Sequence, residues 1–212
     1  MASTNDRSTA SASQDRTVRP GGRTARNTEA VLEATLTELG TRGYAGLTVE
    51  RIATRSGVHK STIYRRWGGV DGLLSTALAR SGTGSWRPPQ TGALHTDLLA
   101  LLHRVTENFT SEREGPVATA AIAAAFESAR AASALHDFFV DQHGRSAVVV
   151  EAAIARGEVP AGTDGREVVR SAVAPIYYRL FVSREPVTDA DVELAARVAT
   201  EASIAGLFCP VD

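Results

Sequence analysis

The residues best suited to chemistry lie in one run, Leu47-Thr-Val-Glu-Arg-Ile-Ala-Thr-Arg-Ser-Gly-Val-His-Lys-Ser-Thr-Ile-Tyr-Arg-Arg-Trp67. His59, Lys60, Ser61, Thr62, Tyr64, Arg65 and Arg66 gather hydrogen-bond donors and cations on one short stretch. Such a set suits a polyanion with readable edges: arginine grips guanine bidentately, while lysine and hydroxyls suit phosphates. This is recognition chemistry, not bond-breaking. Elsewhere the chain has no Ser-His-Asp order, no convincingly spaced carboxylate pair and no phosphate loop, so neither an enzyme nor a cofactor is expected. His136 and His143 lie on one helical face, but they and His95 and His103 lack cysteine or carboxylate companions at ligand spacing. No metal site is expected.

To present those side chains, two short helices must cross steeply. Thr48 is a good N-cap for the first, and Leu47 before it can staple onto Ile52. Ala53 is small where the two backbones approach, and Gly57 tolerates the positive φ of a tight turn. The second helix is expected from about His59 to Trp67. Ile52, Val58 and Ile63 then bury against a preceding helix, about Thr24 to Arg42, through its Val31, Leu32, Thr35, Leu36 and Leu39. An Ala-x3-Gly spacing alone is common by chance; the full pattern is far more specific. A fourth helix is expected from Asp71 to the Gly82–Gly84 breakers.

The remaining chain continues as helices without convincing strand alternation. Beyond the stiff Trp86-Arg-Pro-Pro-Gln90 connection, Leu94, Leu98, Leu101, Val105 and Phe109 line a fifth helix, and Gly115-Pro116 starts a sixth reaching about Arg130. A seventh is expected over about Ser133–Arg156, ended by Gly157, and an eighth over about Thr163–Ser183. Thr188 and Asp191 form a variant capping box for the last, with Val187 stapling onto Val192. The expectation is all-α, about nine helices, divided into a disordered basic tail (1–23), a helix-turn-helix domain (24–84, with the motif at about 47–67) and a helical body (85–212).

Composition agrees. Hydrophobic residues at 43% and charged residues at 22% give an ordinary globular balance. No stretch is long and apolar enough to span a bilayer, and residues 1–26 lack the apolar core of a secretory signal. With the single cysteine Cys209, this points to a reducing cytoplasm and no membrane partner. The net charge of -1 hides an asymmetry: residues 1–80 hold 12 Lys+Arg against 7 Asp+Glu, while the rest is acidic. The asymmetry suggests that one end meets a polyanion; alternatively it is chance clustering on a solvated surface, which charge alone does not exclude. Arg7, Arg16, Arg19 and Arg23 in the tail would add phosphate or minor-groove contacts, or stay solvated.

From about Arg26 to Leu78 the chain resembles the DNA-binding domain of the TetR family of regulators. The resemblance rests on Val31-Leu-Glu-Ala-Thr35, Arg42-Gly-Tyr44, Leu47-Thr-Val49, Ile52-Ala53, Ser56-Gly-Val58 and Lys60-Ser-Thr-Ile-Tyr-Arg-Arg-Trp67. It implies an Ω-like homodimer that binds double-stranded DNA, with three DNA-binding helices and a larger body that senses a ligand and dimerises. DNA contacts are expected from Arg26, Thr48, His59, Lys60, Ser61, Thr62, Tyr64, Arg65 and Arg66. There are departures. Where His59 stands, members often carry Ser or Thr, so a poorly capped recognition helix is expected, with His59 touching DNA instead. Gly68-Gly-Val-Asp-Gly72 replaces a frequent Lys-Glu pair, which removes a phosphate-contacting lysine.

The resemblance says little about the effector, an unidentified small molecule. Pro175 should free the Ser171 carbonyl and kink its helix beside Tyr177 and Tyr178, which either line a pocket or fill a core. His103, Phe126, Phe139, His143, Tyr177 and Tyr178 are the candidate ligand contacts; of the aromatics Trp86, Phe109, Phe126 and Phe139, most should be core. Ala172, Ala195, Ala196, Ala199, Ala202 and Gly206 give the last two helices small faces. By family analogy these form a four-helix bundle with a second copy; alternatively they pack within the chain. The expected function is a repressor that binds a palindromic operator as a homodimer and is released by its effector. The alternative is an activator or architectural factor with no effector.

Overall fold

The computed structural model describes residues 21–81, 87–112 and 114–210. The expected tail through Pro20, the Gly82–Gly84 breakers and Trp86 lie outside them. Regular structure among the described residues is entirely helical, so the all-α expectation is borne out. The elements are α1 (Gly21–Arg42), α2 (Val49–Ser56), α3 (Lys60–Trp67), α4 (Val70–Ser81), α5 (Leu94–Thr110), α6 (Gly115–Glu127), α7 (Ala129–Ser146), α8 (Val148–Arg156), α9 (Gly165–Tyr177) and α10 (Asp189–Ile204). A π-helical turn, Tyr178–Ser183, extends α9.

Several boundaries differ from expectation, each for a local reason. α1 starts at Gly21, so Arg23, expected in the tail, is helical; the Gly22 carbonyl accepts from Arg26 Nε (3.1 Å) and the Thr24 carbonyl from Thr28 Oγ1 (2.8 Å). Ser128 is extended and its hydroxyl accepts from the Ala131 amide, which ends α6 at Glu127 and starts α7 at Ala129 instead of Ser133. The expected long seventh helix divides at Ala147. Ala147 keeps helical dihedrals (φ −59, ψ −17), so α8 leaves α7 without a loop. Counted with α7 as one bent helix, it leaves nine helices among the described residues. Pro175 does not end its helix. The Tyr178 amide donates to both the Ala174 and Pro175 carbonyls, and a π-helical turn then follows until Arg184 turns left-handed (φ 57).

Two apolar cores organise the helices. One gathers Val31 and Leu39 of α1, Ile52 of α2, Ile63 of α3 and Leu73 and Leu74 of α4, and it continues into Ala121 and Ala124 of α6 and Ala131 and Ala134 of α7. The other gathers Leu98 and Leu102 of α5, Val149 and Val150 of α8, Val168 and Ile176 of α9 and Val192, Ala196 and Ala199 of α10. Ala172, Ala195, Ala196 and Ala199 are buried in this second core, so the small faces of the last two helices pack within the chain. Ala202 is half-buried, and Gly206 lies in the turn beyond α10 at φ 75.

α2 and α3 have eight residues each, too short to persist in water without tertiary support. Burying Ile52 and Ile63 completely supplies most of it, and polar contacts fix the angles. Glu38 on α1, nearly buried, accepts from Arg55 Nε of α2 (2.6 Å) and faces Arg42 Nε at 3.2 Å. The hydrogen bond from Arg55 holds the Glu38 carboxyl below its usual pKa, so the stability it adds is present at neutral pH and is lost as pH falls through that lowered value. At the start of α4, Asp71 accepts from the Tyr44 hydroxyl and from the Ser128 hydroxyl (3.3 Å), joining the α1–α2 loop, α4 and the N-cap of α7. Burial first, then the bond to Asp71, raises the Tyr44 pKa, so the phenol stays a donor. Tyr44→Phe and Asp71→Ala should each lower the unfolding free energy by about 1–2 kcal/mol, and the double variant by less than their sum, in urea denaturation. Strict additivity would show that the two side chains do not act as a unit.

Candidate nucleic-acid interface and internal cavity

The helix pair is built as its residues require. Thr48 is extended (φ −131, ψ 150) and its hydroxyl accepts from the Arg51 amide (3.3 Å), capping α2. Gly57 then turns left-handed at φ 69, a conformation that costs other residues 1–2 kcal/mol or so. The expectation of an uncapped α3 is corrected. His59 itself is the N-cap: its Nδ1 accepts from the Ser61 amide (3.3 Å) and lies 2.9 Å from the Ser61 hydroxyl. An imidazole nitrogen with a free lone pair does what a Ser or Thr oxygen would do.

With Ile63 at no exposure, the opposite face of α3 is turned out. Lys60, Ser61, Tyr64, Arg65 and Arg66 are exposed, and Thr62 is half-buried. Tyr64 is left 49% open on this face. Lys60 Nζ reaches Glu50 Oε1 at 3.5 Å, and the Arg66 guanidinium sits 4.9 Å over the Trp67 ring, which holds it along the helix end. Arg26 is exposed on α1, its Nε tied to the Gly22 carbonyl; Thr48 is half-buried and occupied as a cap. At the start of α4, Val70 packs partly against the core and brings no charge, as the missing lysine implied.

Between α1, α4 and the helices of the body lies a cavity of about 1290 Å³, open to solvent along part of its boundary. Leu36 and Gly40 of α1 and Leu78 of α4 form one wall; Val105 and Phe109 of α5, Val117 of α6, Phe138, Phe139 and His143 of α7 and Val173 and Tyr177 of α9 form the others. Of the candidate ligand contacts, the structure therefore brings Phe139, His143 and Tyr177 together. Phe139 stacks on His143 (5.7 Å, 28°), and Phe109 meets Tyr177 edge-on (5.5 Å, 84°). The other three lie elsewhere. Phe126 is 89% exposed, two residues past the buried Ala124 and so on the opposite side of α6. Tyr178 follows Tyr177 by one residue, a turn of roughly 100°, and points to solvent at 59% exposure. His103 is on the outer side of α5, its Nδ1 4.0 Å from Asp189 Oδ1. Leu36, Gly40, Val117 and Phe138 lacked any sequence signal for this role, because they belong to helices that are distant in the chain.

Burial, then the positive charge of Arg170, lowers the His143 pKa, so the imidazole is neutral near pH 7. Burial alone raises the Tyr177 pKa, so its hydroxyl remains protonated. Among the described residues, no helix is long and apolar enough to cross a membrane.

A helix-turn-helix with a cationic outer face, packed on a helical body, is the architecture of a DNA-binding regulator. Comparison with known proteins names the family. Residues 31–77 match the model of the bacterial regulatory proteins of the tetR family, and residues 88–199 match the tetracyclin repressor-like C-terminal domain. The HTH-type transcriptional regulator AqdR of Rhodococcus erythropolis is 30% identical over 150 residues, covering 69% of this chain and 70% of its own. The HTH-type transcriptional regulator YdeS of Bacillus subtilis is 27% identical over 165 residues, covering 77% and 83%. The crystal structure of the TetR family transcription regulator SCO0332 superposes with a TM-score of 0.66 at 29% identity, covering 83% of this chain and 97% of that one. The chain belongs to the TetR family and is a helix-turn-helix transcriptional regulator.

The cap gives a direct check on α3. His59→Ala should lower stability by about 0.5–2 kcal/mol in chemical denaturation, and His59→Ser should recover most of it. Equal losses for the two would mean that the imidazole is not serving as the cap.

Proposed function

We propose that the protein is a repressor that binds a palindromic operator as a homodimer and is released when a small molecule enters the cavity. The observation that carries this is the cavity's shared wall. Leu36 and Gly40 sit on α1, which also buries Ile52 and Ile63 in one core, so whatever fills the space presses on the element that orients α3. A ligand favouring a different α1–α6 spacing would shift the population toward a dimer whose two recognition helices no longer match adjacent grooves. The exterior of α10 supports dimerisation: Leu194, Val198 and Ile204 are each at least half exposed, on the side opposite the buried Ala195, Ala196 and Ala199. Those large side chains, not the small ones, are then the surface for a second copy. Arg26, Thr48, His59, Lys60, Ser61, Thr62, Tyr64, Arg65 and Arg66 supply the DNA contacts, with base reading by the exposed face of α3. A cytoplasmic location fits a protein that must reach DNA.

Selection of the purified protein against a randomised DNA library should recover one inverted repeat, with half-sites about 34–36 Å apart or a multiple of that. Changing Lys60, Tyr64 and Arg65 together to Ala should abolish the enrichment. Recovery of only salt-sensitive general binding would point instead to an architectural role.

Gly40 tests the coupling separately. A Cβ there would lie 2.7 Å from Val117 Cγ2 and 3.2 Å from the Val117 amide nitrogen, so Gly40→Ala forces a shift of Val117 or of the α1–α6 spacing. Without any effector, operator affinity measured by fluorescence anisotropy should fall by about tenfold. Unchanged affinity would sink transmission through α1.

A further inference from the structure

The helix-turn-helix carries one charge that a polyanionic partner disfavours. Residues 43–70 hold five Lys and Arg (Arg51, Arg55, Lys60, Arg65 and Arg66) and a single acid, Glu50. Glu50 stands in the first turn of α2, two residues after the Thr48 cap, and Lys60 is the first residue of α3. With Thr48 capping α2 and Gly57 turning left-handed, the two helix starts come together: Lys60 Nζ lies 3.5 Å from Glu50 Oε1. Of the other cations, Arg55 is committed to Glu38 and Arg66 lies over the Trp67 ring.

Fold stability does not account for a carboxylate beside Lys60. The Lys60 and Glu50 side chains are 53% and 59% exposed, and an exposed ion pair contributes little. A negative charge in the first turn favours the α2 dipole, but that effect requires no contact with Lys60. On DNA the same carboxylate repels any phosphate within reach of Lys60, which works against Lys60 as a backbone clamp. A base pair, in contrast, offers a partner to both charges. In the major groove guanine presents two neighbouring acceptors, N7 and O6, and its cytosine presents a donor, the N4 amino group. An ammonium beside a carboxylate satisfies all three. An A·T edge runs acceptor, donor, acceptor, so the same two groups leave one acceptor without a donor.

On the reading that the exposed face of α3 enters a major groove, we propose that Glu50 is a specificity-determining residue: with Lys60 it reads one G·C pair in each half-site. Lys60 Nζ donates to guanine N7 and O6, and the Glu50 carboxylate accepts from cytosine N4. The N-terminal residues of a recognition helix are those that reach base edges, and Lys60 stands there. Away from that base pair the carboxylate gains no donor and keeps its repulsion with phosphate. It therefore weakens general binding while the operator stays favoured.

Selection of the full-length parent, Glu50→Ala and Lys60→Ala against one randomised DNA library tests the assignment. The parent motif should contain one G·C position per half-site that becomes indifferent to sequence in both variants. The other positions should persist, which also shows that the variants are folded. In fluorescence anisotropy on the parent's operator, replacing that G·C pair by A·T should weaken the parent about tenfold and leave both variants nearly unaffected. Three results would overturn the assignment while base reading by α3 stands: a motif that Glu50→Ala leaves unchanged, loss of different positions in the two variants, or an equal gain in affinity for every sequence in Glu50→Ala. The last of these would make Glu50 a purely electrostatic filter. Recovery of no motif by the parent would overturn base reading by α3 and this assignment together.

Discussion

Asp71 ties the DNA-binding end to the body at a point where the two already share an apolar core. Its carboxylate accepts from the Tyr44 hydroxyl on the loop entering the helix-turn-helix and from the Ser128 hydroxyl that caps α7. Ser128 at the same time accepts from the Ala131 amide, so one side chain both starts a body helix and binds the DNA-binding end. Hydrogen bonds to a charged acceptor are roughly twice as strong as neutral ones, and they are directional. The alanines that pack beside this junction, Ala121, Ala124, Ala131 and Ala134, let α6 and α7 come close to the helices carrying Ile63 and Leu74. The recognition helix is thus referenced to α7, and α7 also carries Phe139 and His143 on the cavity wall.

Charge distribution acts on a different scale. The basic N-terminal third steers the molecule to DNA from a distance, and salt weakens that steering. Close in, arginines divide between two tasks. Arg55 is committed to Glu38 and so fixes the α1–α2 angle, whereas Arg65 is left exposed on α3. Sequence position does not distinguish them; the partner does.

What could be read from the residues alone followed from how local each signal was. Thr48, Gly57, Ile63 and the Thr188–Asp191 box act within one turn of their own helix, and each appears where expected. His59 was misjudged because statistical cap preferences favour oxygen, while the geometry needs only a lone pair near the second amide of the helix. The division at Ala147 and the π-helical turn are not legible: Ala147 is an excellent helix former, and no residue of Tyr178–Ser183 signals a change of register. For the cavity, Phe139, His143 and Tyr177 were visible as aromatic or polar residues on apolar faces. Tyr178 was visible for the same reason, and one residue of helical rotation puts it in solvent.

The contact at Gly40 explains why a cavity in this place can act over distance. A close-packed interface resists gradual deformation and switches between discrete arrangements. Gly40 and Val117 are near enough that an added methyl would force a shift, so α1 and α6 are closely packed there. A cavity bounded by both helices lies alongside. On the proposed function, a molecule that occupies it would act on α1 beside that contact, and α1 shares one core with Ile52 and Ile63 through Val31 and Leu39. An angular change of α1 would be amplified at the recognition face, whereas a loosely packed contact at Gly40 would absorb the same displacement locally.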